Sequence, residues 1–522
     1  MLRQLFLAAA AMPFASILSA QTVLHVPSQY PTVQAALDAA QAADVVLVAP
    51  GNYAGPIVFP GRDVVLRGAG PERTVLSTTT FDPVITCLPG SSRQAVIEGF
   101  TIRGGNGFDA GGIYVNQCSP TIRGNHVVQN RTSARGGGIG VYFGGPLIAD
   151  NLIAGNTQSI GQVSGGGISL LGAGASEIVG NRIRDNAALT GGGIACNNAG
   201  SPRIVGNRIS GNTASYGGGL SFANSGDYRV VQNLIEGNVA SRGGGIDYTN
   251  GTLTLVHNTI VGNSGLGAAM HAYRPPAVIT MVDNIMVGAP VLLFGDLWRP
   301  EITHVFSHNV LFGPTVYGGA WPDGGTNNGT ILADPLLRAD GVQISWESPA
   351  RNHGVPHPEA LATDLFGDPR TLGDEVDIGA DEYSGTFEFG NACHGVLSAP
   401  VLRPIGQPLS GNTGFAFDLR GGVPGGAALF GIGDSVTTWL GEPLPRGLER
   451  YGLPGCLQLV SGLYSTMIDT DASGAAAIAC PVPMDPGLVG VLLHAQWGAL
   501  ATPIGTFGPL DGVSGGLSFE VR

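Results

Sequence analysis

A phrase of the form Asn-x-aliphatic-x-x-Asn recurs through the middle of this chain and limits what it can fold into. It runs from Asn181 to Asn186, Asn207 to Asn212, Asn233 to Asn238 and Asn258 to Asn263. Leading asparagines stand at 125, 151, 181, 207, 233, 258, 284 and 309, giving steps of 26, 30, 26, 26, 25, 26 and 25 residues. Between them a glycine triplet precedes an aliphatic residue: Gly136 to Ile139, Gly165 to Ile168, Gly191 to Ile194, Gly217 to Leu220 and Gly243 to Ile246. A fixed period of this size marks a solenoid, whose repeats bury their apolar faces only by stacking.

The pattern inside one period fixes the kind of solenoid. No segment long enough for a helix carries a 3.6-residue spacing. Each period instead holds three short alternating runs bounded by Gly, Pro, Ser or Asn, such as Ile194-Ala195-Cys196, Arg203-Ile204-Val205 and Arg208-Ile209-Ser210. These read as strands. Three strands per coil predict an all-β chain built on a right-handed parallel β-helix, with coils roughly 4.8 Å apart. Asparagines at equivalent bends would stack amide on amide. The glycine triplets suit positive φ or close backbone approach. No helix follows them, so they are not a nucleotide-binding loop.

Composition narrows the function. Net charge is −13, charged residues are 12%, and all 25 basic residues are arginine. Without a basic patch or tail, a nucleic-acid partner is not expected. Chemistry that needs a lysine base or Schiff base is excluded. The six cysteines form no CxxC pair, so a zinc site is not expected. Cys196 and Cys87 fall on inward positions of rungs that do not touch. In an oxidising compartment Cys393 could pair with Cys456, but spacing does not fix connectivity among Cys393, Cys456 and Cys480.

Residues 1–20 have the features of a secretory signal: Arg3, an apolar stretch from Leu5 to Leu18, and small residues at Ser19-Ala20. The expected mature protein is exported to the cell surface or medium, monomeric, and without a membrane span. Residues 21–332 form the predicted β-helix. An amphipathic helix over Thr32 to Ala43 is expected to cover its open end. Residues 333–383 read as a closing module and 384–522 as an antiparallel β-sandwich. Strand-like runs there are Phe415 to Leu419, Ala427 to Phe430, Cys456 to Val460, Thr466 to Asp469, Ala475 to Cys480 and Gly490 to Gln496.

Two family resemblances accompany this reading. Tyr30-Pro31-Thr32-Val33-Gln34-Ala35-Ala36-Leu37, followed by Val46 to Tyr53, resembles the opening of the pectin-lyase-like superfamily, and the likeness extends from Val23 to about Gly313. That superfamily implies the β-helix, and holds polysaccharide lyases, polygalacturonases, pectin methylesterases and proteins without known activity. Asp334-Pro335-Leu336-Leu337, Glu347 to Gly354, Thr363 to Arg370 and Val376 to Tyr383 are similar to the choice-of-anchor Q module. It implies a cap at the C-terminal end of the helix and display at the cell surface, although no sorting tail or spanning helix follows. In that stretch Asp364, Arg370 and Asp377 suit either a salt-bridge clamp or a metal site. The last domain resembles a module found behind repeats in large secreted bacterial proteins.

On a β-helix a ligand lies across outward side chains of neighbouring rungs. One position after the aliphatic come Tyr114, Gly140, Ser169, Ala195, Ser221, Asp247 and His271. Two positions further come Asn116, Tyr142, Leu171, Asn197, Ala223, Thr249 and Tyr273. Asp247, His271, Tyr273 and Arg274 alone combine acid, base and anion-binding parts, and are the candidate catalytic group; a surface ion pair is the other reading. His257, Asp283 and His308, each just before a leading Asn, have the residue types of a metal site or are polar bend residues. Arg182, Arg184 and Arg208 could bind an acidic glycan or form a solvated face. Trp298 and Trp321 could stack on sugars or pack internally.

No motif requires a cofactor. Calcium stays open through Asp469 to Gly474, though that stretch lacks the later Glu of an EF-hand loop and suits a hairpin turn. The Gly-His-Gly and Arg-x-Lys of polygalacturonases and the Gly-Asp-x-Asp-Phe run of pectin methylesterases are missing. Three functions follow: an extracellular scaffold or adhesin-like binder, a lyase or hydrolase of an acidic polysaccharide, or a carbohydrate-binding protein without turnover.

Overall fold

The computed structural model describes residues 21–158, 165–273, 278–296, 304–319, 326–338, 341–345, 347–370, 375–383, 386–389, 393–394, 400–405, 408, 411–439, 442–448, 453–462, 464–485, 491–500, 510–514 and 516–520. Two compact units divide the chain. One comprises residues 1–333, 356–361 and 378–380, and the other 334–355, 362–377 and 381–522.

The first unit is a parallel solenoid of three long sheets with 11, 13 and 13 strands. One coil supplies Ile194–Asn197 to the first sheet, Arg203–Val205 to the second and Arg208–Ser210 to the third. Register repeats coil by coil: Ile194 pairs with Leu220 and Leu220 with Ile246. All three side chains are fully buried in one continuous core. Each fully buried aliphatic contributes roughly 1.5–3 kcal/mol.

Two asparagine ladders pin the corners on either side of the third sheet. Asn207 donates both its backbone N–H, at 2.8 Å, and its side-chain amide, at 3.0 Å, to Asn233 Oδ1 on the next coil. Its amide also reaches back to Ile178 O at 2.8 Å, while its own Oδ1 accepts from Asn181. The same links run unbroken from Asn125 to Asn309. The second ladder runs from Asn130 to Asn263.

The glycine triplets owe their identity to close approach. A Cβ on Gly193, the third of its triplet, would lie 2.7 Å from Gly219 O, 2.9 Å from Ile209 Cγ2 and 3.2 Å from Asn212 Nδ2. The first glycine folds back on its own strand: a Cβ on Gly217 would sit 2.9 Å from Ser221 Cβ. A fourth short run, which the alternation did not show, leads into these turns. Thr213–Tyr216 pairs with Val239–Arg242, which pairs with the extended strand Thr259–Leu266.

At the N-terminal end a helix, Val33–Ala39, is shorter than the predicted Thr32 to Ala43. Thr32 caps it by accepting from Ala35 N at 3.1 Å, and Val33, Ala36 and Leu37 are buried. Two later segments lie along the flank of the coils. Glu359 bonds Arg203 at 3.0 Å and approaches Arg229 at 3.4 Å. Leu361 N donates to Gln232 Oε1, Gly379 N to Asp283 O at 2.8 Å, and Ala380 N to Thr259 Oγ1 at 3.0 Å. Residues 356–361 and 378–380 thus run beside the rungs as part of the first unit.

The second unit contains a seven-stranded and a three-stranded antiparallel sheet. Leu402, Phe417, Phe430, Trp497 and Phe519 share its core. The predicted runs appear as Ala416–Arg420, Ala427–Gly433, Leu453–Gln458, Tyr464–Asp469, Ala476–Ala479 and Leu492–Leu500. Asp364, Arg370 and Asp377 each bond backbone groups of this stretch. Asp364 Oδ1 accepts from the backbone N–H of Phe366, Gly367 and Asp368 at 2.8–2.9 Å, and Oδ2 from Glu382 N at 2.8 Å. Arg370 Nη2 donates to Asp377 O at 2.7 Å, and Asp377 Oδ2 accepts from Tyr383 N at 2.6 Å. Asp471 closes a turn, taking Ser473 N at 2.7 Å and Ala475 N at 3.0 Å. Among the described residues no helix is long and apolar enough to cross a membrane.

Candidate functional site

The coil period brings Asp247 and His271 together as predicted. They are register partners on adjacent strands, and His271 Nδ1 lies 2.9 Å from Asp247 Oδ1. Their environment is not the open face that the outward position implied. His271 is 0% exposed and Asp247 4%. The turn before each strand folds close to its backbone: a Cβ on Gly243 would lie 2.7 Å from Asp247 N, and one on Gly267 3.0 Å from His271 Cα. On its other side His271 stacks on Phe294, with ring centroids 5.8 Å apart and planes 9° from parallel. Tyr273 is half-buried, with the Arg242 guanidinium 5.5 Å from its ring centre and 4.4 Å from that of Tyr216. Arg274 lies outside the described residues. The acid–base pair therefore exists, but as a covered pair within the wall of the solenoid.

The metal expectation divides similarly. His257 Nε2 lies 3.6 Å from Asp283 Oδ2, both side chains are fully buried, and Gly379 N donates to the Asp283 carbonyl from the flank. His308 does not join them: its Nδ1 meets Ser307 Oγ at 2.6 Å, and Gly329 packs on its ring. These three positions share φ values of +51° to +55°, so the backbone repeats while the side chains diverge. Among the described residues no three His, Cys, Asp or Glu side chains are grouped to hold a metal. Arg182 and Arg208 are register partners on an exposed face, where Arg208 pairs with Glu236 at 2.7 Å and Arg184 with Asp185. Trp298 and Trp321 lie outside the described residues.

A different cluster on the first sheet does face solvent. Tyr114 and Tyr142 stand on adjacent rungs, in the Ile113–Asn116 and Ile139–Tyr142 strands. Arg135 sits 4.8 Å from the Tyr142 ring centre and bonds Asp109 at 2.9 Å. Phe143 meets Tyr142 edge-on at 4.5 Å and is 51% exposed. Phe108, beside Asp109, is 68% exposed, and Phe81 on the preceding coil is 85% exposed. The loops carrying these two phenylalanines are tied by Asn106 N donating to Asp82 O at 3.1 Å. Burial, then the Asp109 carboxylate, pushes the Tyr114 phenol up, so its hydroxyl stays protonated at neutral pH. The result is a group of exposed aromatic rings in loops before and after these strands, with one hydrogen-bonding charge pair among them. Sequence columns placed Tyr114 and Tyr142 correctly; the three phenylalanines were missed because they sit in loops outside the strand columns.

Residues 111–280 match the family described as the right-handed beta helix region. The first unit is a right-handed β-helix. Among solved structures, a PL6 family alginate lyase, AlyGC, is similar at 13% identity and a TM-score of 0.31, covering 69% of this chain and 58% of that one. A point mutant of the same enzyme gives 13% and 0.30. The likeness thus spans little more than half the length of those enzymes. No curated protein matches the chain.

Proposed function

We propose that this protein is an exported, non-catalytic binding scaffold that holds an extended polysaccharide along the first sheet of its β-helix. The observation that carries this reading is the set of exposed phenylalanines Phe81, Phe108 and Phe143 in loops of three successive coils, with half-buried Tyr142 beside the Arg135–Asp109 pair. Sugar rings present an apolar face for stacking and hydroxyls for hydrogen bonding, and a set of exposed rings with adjacent polar groups offers both. The net charge of −13 favours a neutral or weakly charged chain over a polyanion. The signal-like residues 1–20 support export, and the choice-of-anchor Q resemblance supports display at the cell surface.

The test is retention of the full chain on a panel of immobilised neutral and acidic polysaccharides. Binding that weakens in Phe108→Ala and Tyr142→Ala, with no new reducing or unsaturated ends, supports the scaffold. Equal retention of both variants, or no retention on any matrix, overturns it. A second reading, a lyase or hydrolase of an acidic polysaccharide, is favoured by the Asp247–His271 hydrogen bond. It predicts product formation from the same panel that Asp247→Ala abolishes.

A further inference from the structure

Cys87 ends the strand Ile85–Cys87, and the following coil pairs Val115 opposite it. Cys118 lies three residues beyond Val115, at the bend into the second sheet. Its Sγ approaches Cys87 O at 3.6 Å, which sets the two cysteines side by side on adjacent coils. The alternation had put Cys87 in the core without a neighbouring cysteine, because Cys118 belongs to a bend and not to a strand column.

The surroundings of the two sulfurs differ. Cys87 is fully buried, whereas Cys118 is 4% exposed and lines a shallow depression of about 660 Å³ with Ser91, Ser92, Arg93, Ser119 and Gly145. The neighbouring Cys118 thiol, with burial second, raises the inner thiol well above its usual range. The Cys87 thiol in turn lowers the outer one against the effect of burial. Cys118 thus lies under the depression with the more acidic thiol, and Cys87 lies deeper in the core, the order of an attacking and resolving pair.

We propose that Cys87 and Cys118 are a redox-convertible pair that a small-molecule disulfide joins into a covalent bridge between adjacent coils. The Cys118 thiolate attacks one sulfur of the oxidant, forming a mixed disulfide and releasing one thiol. The Cys87 thiolate then attacks Cys118 Sγ, forming the bridge and releasing the second thiol. Two protein thiols are oxidised and one external disulfide is reduced to two thiols. The bridge spans the coil that presents Tyr114, so it braces the base of the aromatic group.

Reduced full-length protein, exchanged into oxidised glutathione under native conditions, is alkylated and digested after arginine. Cys87 falls in peptide 74–93 and Cys118 in peptide 104–123. The expected result is a linked 74–93/104–123 pair that reductant separates, with a melting temperature several degrees higher in the oxidised form. Cys87→Ser should stop at a glutathione adduct on Cys118. Recovery of both wild-type peptides alkylated, or an adduct on Cys118 as the final wild-type product, overturns the proposal whether or not the variant folds.

Discussion

Asp247 and His271 share a 2.9 Å hydrogen bond one coil apart, and neither side chain meets solvent to any useful extent. A pair in that position holds the wall of the solenoid together. Replacing Asp247 by alanine removes a buried hydrogen-bonding group and is expected to cost about 2–4 kcal/mol. Urea denaturation of Asp247→Ala measures it. A variant as stable as wild type would show the pair to be dispensable to the fold and would restore interest in it as chemistry.

The asparagine ladder makes a sharper stability prediction. Asn207 accepts two bonds from Asn181 and donates to Ile178 O, Val205 O and Asn233 Oδ1. Asn207→Ala leaves buried groups on two neighbouring coils unsatisfied, at roughly 1–3 kcal/mol each. A loss of about 4 kcal/mol or more in denaturant midpoint analysis is expected, exceeding that of any exposed-face alanine substitution.

Two glycines separate crowding from backbone conformation. Gly193→Ala forces a Cβ against Gly219 O and Ile209, for an expected cost of about 3 kcal/mol. Gly237 has φ +58° and open space around its missing Cβ, so Gly237→Ala should cost about 1 kcal/mol. Asparagine tolerates that conformation, so Gly237→Asn should recover most of the loss. Gly193→Asn should not. Thermal melts of the four variants decide it.

The second unit carries a pH signature. Burial pushes Asp364 up to about 6. Burial, followed by the charges of Asp364 and Asp377, pushes Asp381 well above the ordinary carboxylate range. In the unfolded chain both ionise near 4. Between about pH 4 and 6 the folded form holds protons that the unfolded form has lost, so stability falls as pH rises through this window. For Asp364 the loss is on the order of 3 kcal/mol. Asp381→Asn can keep the acceptor used by Ile344 N while burying no charge. It should stabilise at pH 7 and change little at pH 4; equal melting shifts at the two pH values would contradict the assignment.

Much of this was legible from spacing. A period near 26 placed Ile194, Leu220 and Ile246 over one another and matched Asp247 to His271, because parallel pairing repeats register as faithfully as the sequence repeats its asparagines. Spacing was silent about what covers a column. Thr213–Tyr216 has little apolar content, yet it leads into the glycine turn that folds against the outward position at Ser221. Gly379 N and Ala380 N, 96 and 121 residues further along the chain than their partners, bond Asp283 O and Thr259 Oγ1 from the flank, and no periodicity encodes those contacts. His308 follows the same backbone rule as its two neighbours, but its side chain turns to Ser307, a choice made by local donors and not by the repeat.

The ladders also have a direction. From Asn125 to Asn284, each leading asparagine hands its hydrogens forward to the carbonyl oxygen of the next, so every coil presents the acceptor its predecessor needs. Excising one complete coil would leave that handover intact, whereas removing half of one would set donors against strand backbone. A lineage carrying this architecture can therefore lengthen or shorten only in integral units, like a zip fastener that accepts whole teeth.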